Sequence, residues 1–256
     1  ADAASFGARK ILRQRSRDLI RNRPFITRAQ AVVSSNVVAK GIMPRIHIEG
    51  GNDAQQKKLS GLLTTHMLTA GIDAYGELAL PSLQRVVMNG VFESGEVFVR
   101  RRMRDKTRSD IKLPFQIEVL EPDWLDDTRR SHGANQIEDG IEYDNAGRAV
   151  AYWIYPSHPG AIDSLARRDS ERVNAADVLH IRRIDRPGQG RGVPWLAPVM
   201  LTANDLSDYQ EAQIVKQKIS ALMAGVVETD SETNNIGASG KPDLDELAPG
   251  ALVYAE

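Results

Sequence analysis

Cysteine is absent from the 256 residues. That excludes a disulfide framework and any thiolate-ligated metal site, and it suits a reducing compartment. Aromatic residues are scarce at 5%, which argues against a surface built to stack single-stranded bases. Net charge is nearly absent: 33 Lys and Arg face 34 Asp and Glu, giving -1. No global charge therefore advertises nucleic acid, although the distribution of charge matters more than its sum. No apolar run reaches the ~18 residues of a membrane span, so no membrane role is expected. Residues 1–10 lack the apolar core of a signal peptide. Paired catalytic motifs are missing too. Gly188-Gln189-Gly190 is no phosphate cradle, His158 and His180 stand apart from any HExxH, and the carboxylates are scattered. Neither metal nor cofactor is expected, nor a covalent chemistry.

What is present is a chain of moderate length, enough for one or two domains with a sizeable core. Residues 1–23 are basic, with Arg9, Arg13, Arg17 and Arg21 among a partial apolar stripe. They read either as a solvated helix or as an arm that packs on a neighbour or on DNA. Pro24 breaks that helix. Ile26–Lys40 reads as a second helix and Arg45–Glu49 as a short strand. A third helix starts at Asn52 or Asp53 and runs to Ala70, and its His66 has the setting of a structural histidine. Leu78–Phe92 is a fourth helix, with Pro81 tolerable only in its first turn.

Val97–Arg101 and Phe115–Leu120 alternate as strands do. Asp123, Asp126 and Asp127 read as a solvated turn, Ser131–Asp139 as a polar loop, and 160–174 as an exposed loop. Between these lies the clearest hairpin: GIEYD, the turn Asn145-Ala146-Gly147, then RAVAYWIY. Glu228–Glu246 is polar enough to be disordered, and Leu247–Tyr254 returns to a turn and strand.

The stretch Val178–Met223 combines a short apolar strand (178–181), a basic glycine-punctuated loop (182–192) and a long helix from Val193 ended by Gly225. Here the chain resembles the lambda family of tailed-phage portal proteins. The residues that carry the likeness are Leu179-His180-Ile181, Arg186-Pro187-Gly188-Gln189, Arg191 through Pro198, Asp205-Leu206 and Tyr209. Gly95-Glu96, Glu121 through Leu125, Gly140 through Asp144, Gly147-Arg148, Ala151 through Ile154 and His158-Pro159 extend it, as does the phrase Arg17–Pro24.

The resemblance implies an α+β, portal-type subunit with wing, clip and stem regions that lacks its C-terminal part. Residues 1–127 would form an N-terminal helical arm and wing, and 128–192 a clip-like β region. Residues 193–225 would form the stem helix, and 226–256 a mobile loop and a strand returning to the wing. It also implies a homo-oligomeric ring, usually a dodecamer, at the unique capsid vertex of the virion, assembled in the host cytoplasm. Double-stranded DNA would pass through it. The terminase large subunit, the head–tail adaptor and the major capsid or scaffold protein would be its partners.

Within that frame Lys216 is the candidate for the DNA tunnel. Lys218, Tyr152 and Trp153 are inter-subunit candidates, and Arg182, Arg183, Arg186 and Arg191 are basic clip-loop candidates. The 140–155 hairpin and the 178–182 strand are expected in one small sheet at a subunit surface. Two other readings compete: a non-phage DNA-binding or scaffold module, and a metal-dependent nuclease using Asp123, Asp126 and His180.

Overall fold

The computed structural model describes residues 7–105, 113–160, 169–228 and 251–255, with backbone alone for 222–228 and 251–255. The polar segment expected between Glu228 and Glu246 falls almost entirely outside these residues. The chain forms two compact units, Ala1–Met200 and Leu201–Glu256.

The first unit opens with four helices: α1 (Arg9–Asn22), α2 (Pro24–Val38), α3 (Asp53–Met67) and α4 (Leu80–Ser94). Each boundary has a local cause. Pro24 and Pro81 sit in the first turns of α2 and α4, where no backbone donor is lost. Asn52 caps α3 through a full capping box with Gln55. Gly95 ends α4 at φ 87°, a left-handed position that glycine takes without strain. His66 is buried and bonded to the Phe115 carbonyl at 2.7 Å, the structural role its setting suggested. The strand expected at Arg45–Glu49 does not form. No ladder partner among the described residues reaches it, and just before it the backbone of Ile42 is satisfied by the Gln84 side chain instead.

Strands β1 (Glu96–Met103) and β2 (Phe115–Leu120) follow. Then come β3 (Ser131–His132), β4 (Asn135–Glu138), β5 (Ile141–Tyr143), β6 (Ala149–Ile154), β7 (Glu171–Asn174) and β8 (Val178–Arg182). They make two sheets, one of order β2-β1-β8 and one of order β3-β4-β5-β6-β7, with every pairing antiparallel. The expected β5–β6 hairpin is present. Asp144 Oδ1 accepts from the Ala146 and Arg148 amides, and Gly147 turns at φ 75°.

Three expectations need correction. Residues 131–138 form a small hairpin rather than a loop, because Ile137 buries itself while its polar neighbours face out. Part of the expected 160–174 loop is β7, which pairs with β6 and buries Val173; residues 161–168 lie outside the described set. The hairpin and the 178–182 strand do not share a sheet, since β8 pairs with β1. The sheets meet through one core of Phe98, Leu120, Leu125, Ile141, Tyr152, Ile154, Val173 and Val178, which joins residues on both sides of position 128.

In the second unit, α5 (Met200–Leu222) passes directly into β9 (Met223–Glu228), which pairs in parallel with β10 (Ala251–Ala255). The helix therefore starts at Met200 and not at Val193, and Gly225 lies in a strand rather than at a helix end. The delay is caused in the first unit, where the Trp195 amide bonds the Phe92 carbonyl and holds 193–196 out of helical hydrogen bonding.

Candidate functional site

The glycine-punctuated loop and the turn at Gly95 belong to one structure. The path Ser94-Gly95-Glu96 runs against Arg191-Gly192-Val193 so closely that a Cβ on Gly95 would overlap the Val193 backbone, and one on Gly192 the Gly95 carbonyl. Glycine is required at both positions by close approach. The contact seats Glu96, fully buried, among four donors. Arg191 reaches Oε1 through Nε at 2.8 Å and Nη2 at 2.7 Å. The Gly192 amide and His180 Nε2 reach Oε2, both at 2.8 Å. Burial alone would push the Glu96 carboxyl up, but the Arg191 charge and the donors around it more than offset this and hold it well below the ordinary carboxylate range.

His180 is fixed as a tautomer. Arg182 Nη1 lies 2.7 Å from its Nδ1 and can only donate, so Nδ1 is bare and Nε2 carries the proton given to Glu96. Burial depresses its pKa, helped by the charges of Arg182 and Arg191 against the opposing pull of Glu96. Its ring stacks on Phe98 at 4.3 Å. Gln189 closes the loop from within, accepting from the Asp185 amide and donating to the carbonyls of Arg183 and Arg191.

Two more carboxylates expected at the surface, or not singled out, are buried and neutralised. Asp126 corrects the solvated-turn reading. It accepts from Thr128, Tyr155, Ser170 and Arg129, and these bonds outweigh burial to bring its pKa to about 2. Glu142 is held by the two-pronged Arg172, with Asn135 and Trp153 Nε1 as further donors, and its pKa also falls to about 2.

A third cluster faces α1. Arg9, Arg13 and Arg17 recur every fourth residue and line one stripe of the helix. Arg9 pairs with Asp139, and Arg13 with Asp123 at 2.9 Å. Arg17 pairs with Glu93 at 2.9 Å, Glu121 at 2.8 Å and Asp123 at 2.7 Å. Glu121, Asp123 and His158 come close enough together to suggest a cation site. Arg13 and Arg17 already supply the positive charge there, so the cluster is an ion-pair network.

These placements change the weight of the expected site residues. Arg191 is buried on Glu96 and cannot reach DNA. Arg182 is committed to His180 and the Gln189 carbonyl. Arg183 bonds Asp185 and lies over the Trp195 ring at 5.2 Å. Arg186 is exposed, and it alone of the four makes no side-chain hydrogen bond or ion pair among the described residues. Tyr152 and Trp153 are buried within the chain, which removes the crowding that made them interface candidates. Lys216 and Lys218 are exposed on α5. The nuclease triad does not assemble, because Asp123, Asp126 and His180 are each engaged by different partners.

Sequence reasoning missed the Glu96–Arg191 pair. A signal was available: an acid heading an apolar strand directly after glycine, and an arginine directly before glycine, both inside the stretches that carry the family likeness.

Compared with known proteins, residues 1–256 match the family model described as phage portal protein, lambda family. A probable portal protein of Halomonas phage phiHAP-1 is 23% identical over 261 residues, covering 99% of this chain and 49% of that protein. The chain thus spans about half the length of this curated relative. A solved structure described as the neck of an empty GTA particle, computed with C6 symmetry, aligns with TM-score 0.43 at 13% identity, covering 80% of this chain and 45% of that one.

Proposed function

The chain belongs to the lambda family of phage portal proteins, and we propose on that basis that it forms part of a ring subunit at the unique capsid vertex. Double-stranded DNA would be packaged and ejected through the ring, with twelve copies as the expected number. The terminase large subunit, the head–tail adaptor and the capsid or scaffold protein are the proposed partners. The observation that carries the reading is the family match over the whole of residues 1–256.

The chemistry agrees with a binding and mechanical role. Many of the buried and half-buried charged groups are spent on one another: Arg191 on Glu96, Arg172 on Glu142, Arg13 and Arg17 on Asp123. Such groups fix a shape, and sliding DNA calls for weak phosphate contacts rather than base readout. A ring also repeats each exposed charge around its axis, so a nearly neutral subunit can present a strong band of potential. Lys216 is the proposed tunnel contact, and on the 182–192 loop Arg186 is the exposed arginine that makes no side-chain hydrogen bond or ion pair among the described residues. Native mass measurement and electron microscopy of the full-length protein test the reading. A closed ring near twelve copies is expected, and a stable monomer or dimer would overturn it.

A further inference from the structure

Helix α1 is attached in an unusual way. Its buried residues are Arg9, Ser16 and Leu19, so Leu19 is its one fully buried apolar side chain; Leu12 and Ile20 are half-buried beside it, and Ile11 is 51% exposed. Its main hold is the stripe Arg9-Arg13-Arg17 on Asp139, Asp123, Glu93 and Glu121, with Ser94 Oγ as a further partner of Arg17. The acids come from separate places, the end of α4, the turn after β2 and the β4–β5 turn, which together make a socket. Burial opposes the charge on Asp123, yet Arg13 and Arg17 hold its pKa below the ordinary value. Burial works against the Arg17 charge as well, and the acids around it raise its pKa in spite of that. The joint to α2 is one extended residue, Arg23, before Pro24.

From this we propose that the acidic socket is an exchangeable docking site for the arginine face of α1, filled by the chain's own helix in an isolated copy and open to that of a second copy. The helix puts one fully buried apolar side chain into the fold and none into the central core cluster, so its charged stripe carries much of its attachment. Every copy carries both the arginine stripe and the matching carboxylates, so arm and socket are complementary between copies by construction. The proposal concerns docking between copies and does not depend on ring closure or copy number.

Two measurements on the full-length protein test it. The first is amide exchange against salt. At 1 M salt the Debye length is about 3 Å, which weakens the more exposed Arg17–Glu121 pair most and the buried Arg9 and Arg13 pairs least. Protection of residues 9–22 should fall roughly tenfold before that of β1 and β6 changes; simultaneous loss would overturn the proposal. The second uses the absence of cysteine. Exposed Gln14 and Ser157 line the same cavity beside the socket. Copies carrying Gln14→Cys are mixed with copies carrying Ser157→Cys and treated with a short bismaleimide. Cross-chain product is expected, and it should disappear when Arg13→Glu and Arg17→Glu are added to the Gln14→Cys chain. Linkage confined to a single chain carrying both cysteines, or cross-chain linkage that survives the charge reversal, would overturn the proposal. A ring that assembles without arm exchange would defeat this proposal and leave the portal reading standing.

Discussion

Arg191 meets Glu96 across 95 residues of sequence, with neither side chain in contact with solvent to any useful extent and two nitrogens within 2.8 Å of one carboxylate oxygen. The pair ties the start of β1 to the end of the loop that follows β8. Buried pairs of this kind add little net stability over a well-packed apolar pair, but removing one partner strands the other charge. Glu96→Gln should therefore cost about 3–5 kcal/mol, read as a lower urea midpoint with unchanged slope. The double variant Glu96→Met with Arg191→Met should recover part of it and no more, because the Gly192 amide and His180 Nε2–H still lose their acceptor. A single variant as stable as the parent would show that the pair is not the tie it looks to be.

The glycines beside that pair separate close approach from backbone conformation. Gly95 and Gly147 both have positive φ, 87° and 75°. A side chain on Gly147 meets nothing within 4 Å, whereas one on Gly95 overlaps Val193. Gly147→Ala should cost only the left-handed penalty, about 1–2 kcal/mol. Gly95→Ala should be far worse, because backbone cannot retreat as a flexible side chain can. Equal losses in thermal unfolding would refute the close-packing account.

How much of this is legible in the sequence depends on the range of the interaction. The β5–β6 hairpin, β2, and the starts of α3 and α4 can be read because alternation, Asn52, Pro81 and Gly147 act within a few residues. The β3–β4 hairpin and β7 cannot, because each buries a single apolar residue, Ile137 or Val173, too few to set a period. The start of α5 is misplaced on sequence grounds because residues 193–196 are held by Phe92 and Gly95, far back in the chain. The basic loop looks available to DNA because the partners of Arg191 and Arg182 lie on other elements. Pairing over such distances leaves no local pattern.

Acid should destabilise the fold in two stages. His180 has a depressed pKa in the folded state, so the unfolded chain binds its proton first, and stability falls as pH drops below the ordinary 6.5. Glu96, Asp126 and Glu142 are also depressed. Their contributions are complete above the ordinary carboxylate values of 3.8 to 4.5 and are lost as pH falls through the folded values, about 2 for Asp126 and Glu142. Urea midpoints measured from pH 8 to 3 should decline gently below 6.5 and steeply below 4.5. His180→Gln should remove the first stage and leave the second. A parent midpoint that is flat down to pH 4.5 would contradict the buried, neutral histidine.

Trp153 is an attractive interface residue on sequence grounds, and its burial changes the expected outcome of removing it. The residue is 6% exposed, its Nε1 bonds Glu142, and Arg129 lies 4.2 Å above its ring. Trp153→Ala should cost about 3–5 kcal/mol of subunit stability, seen in unfolding at concentrations where the protein is dissociated. A variant monomer as stable as the parent but unable to assemble would return Trp153 to the interface.

The charges of α5 pose the remaining choice. Asp205, Asp208 and Glu211 in its first half and Lys216 and Lys218 in its second suggest compensation of the helix dipole. That effect fades within the terminal turns, and α5 has no acid in its first turn and no base in its last. The start at Met200 brings the acids closer to the N-terminus than a start at Val193 would, yet they still lie beyond the first turn, and the lysines stop short of the last, so the dipole explanation falls. The two lysines lie about 200° apart around the helix, so both cannot face one axis. Lys216 borders a shallow groove with Asp208, Glu211, Val215 and Ile219, and Lys218 does not. Nearby acids would weaken the attraction of Lys216 for a phosphate without abolishing it, which agrees with the proposed tunnel role. In assembled rings, Lys216→Gln should leave the ring mass unchanged. It should reduce the slope of log affinity for duplex DNA against log salt by about 0.9 for each phosphate that is no longer neutralised. Lys218→Gln should leave that slope alone and lower the concentration-dependent stability of the ring. A salt slope that responds to Lys218→Gln and not to Lys216→Gln would exchange the two roles.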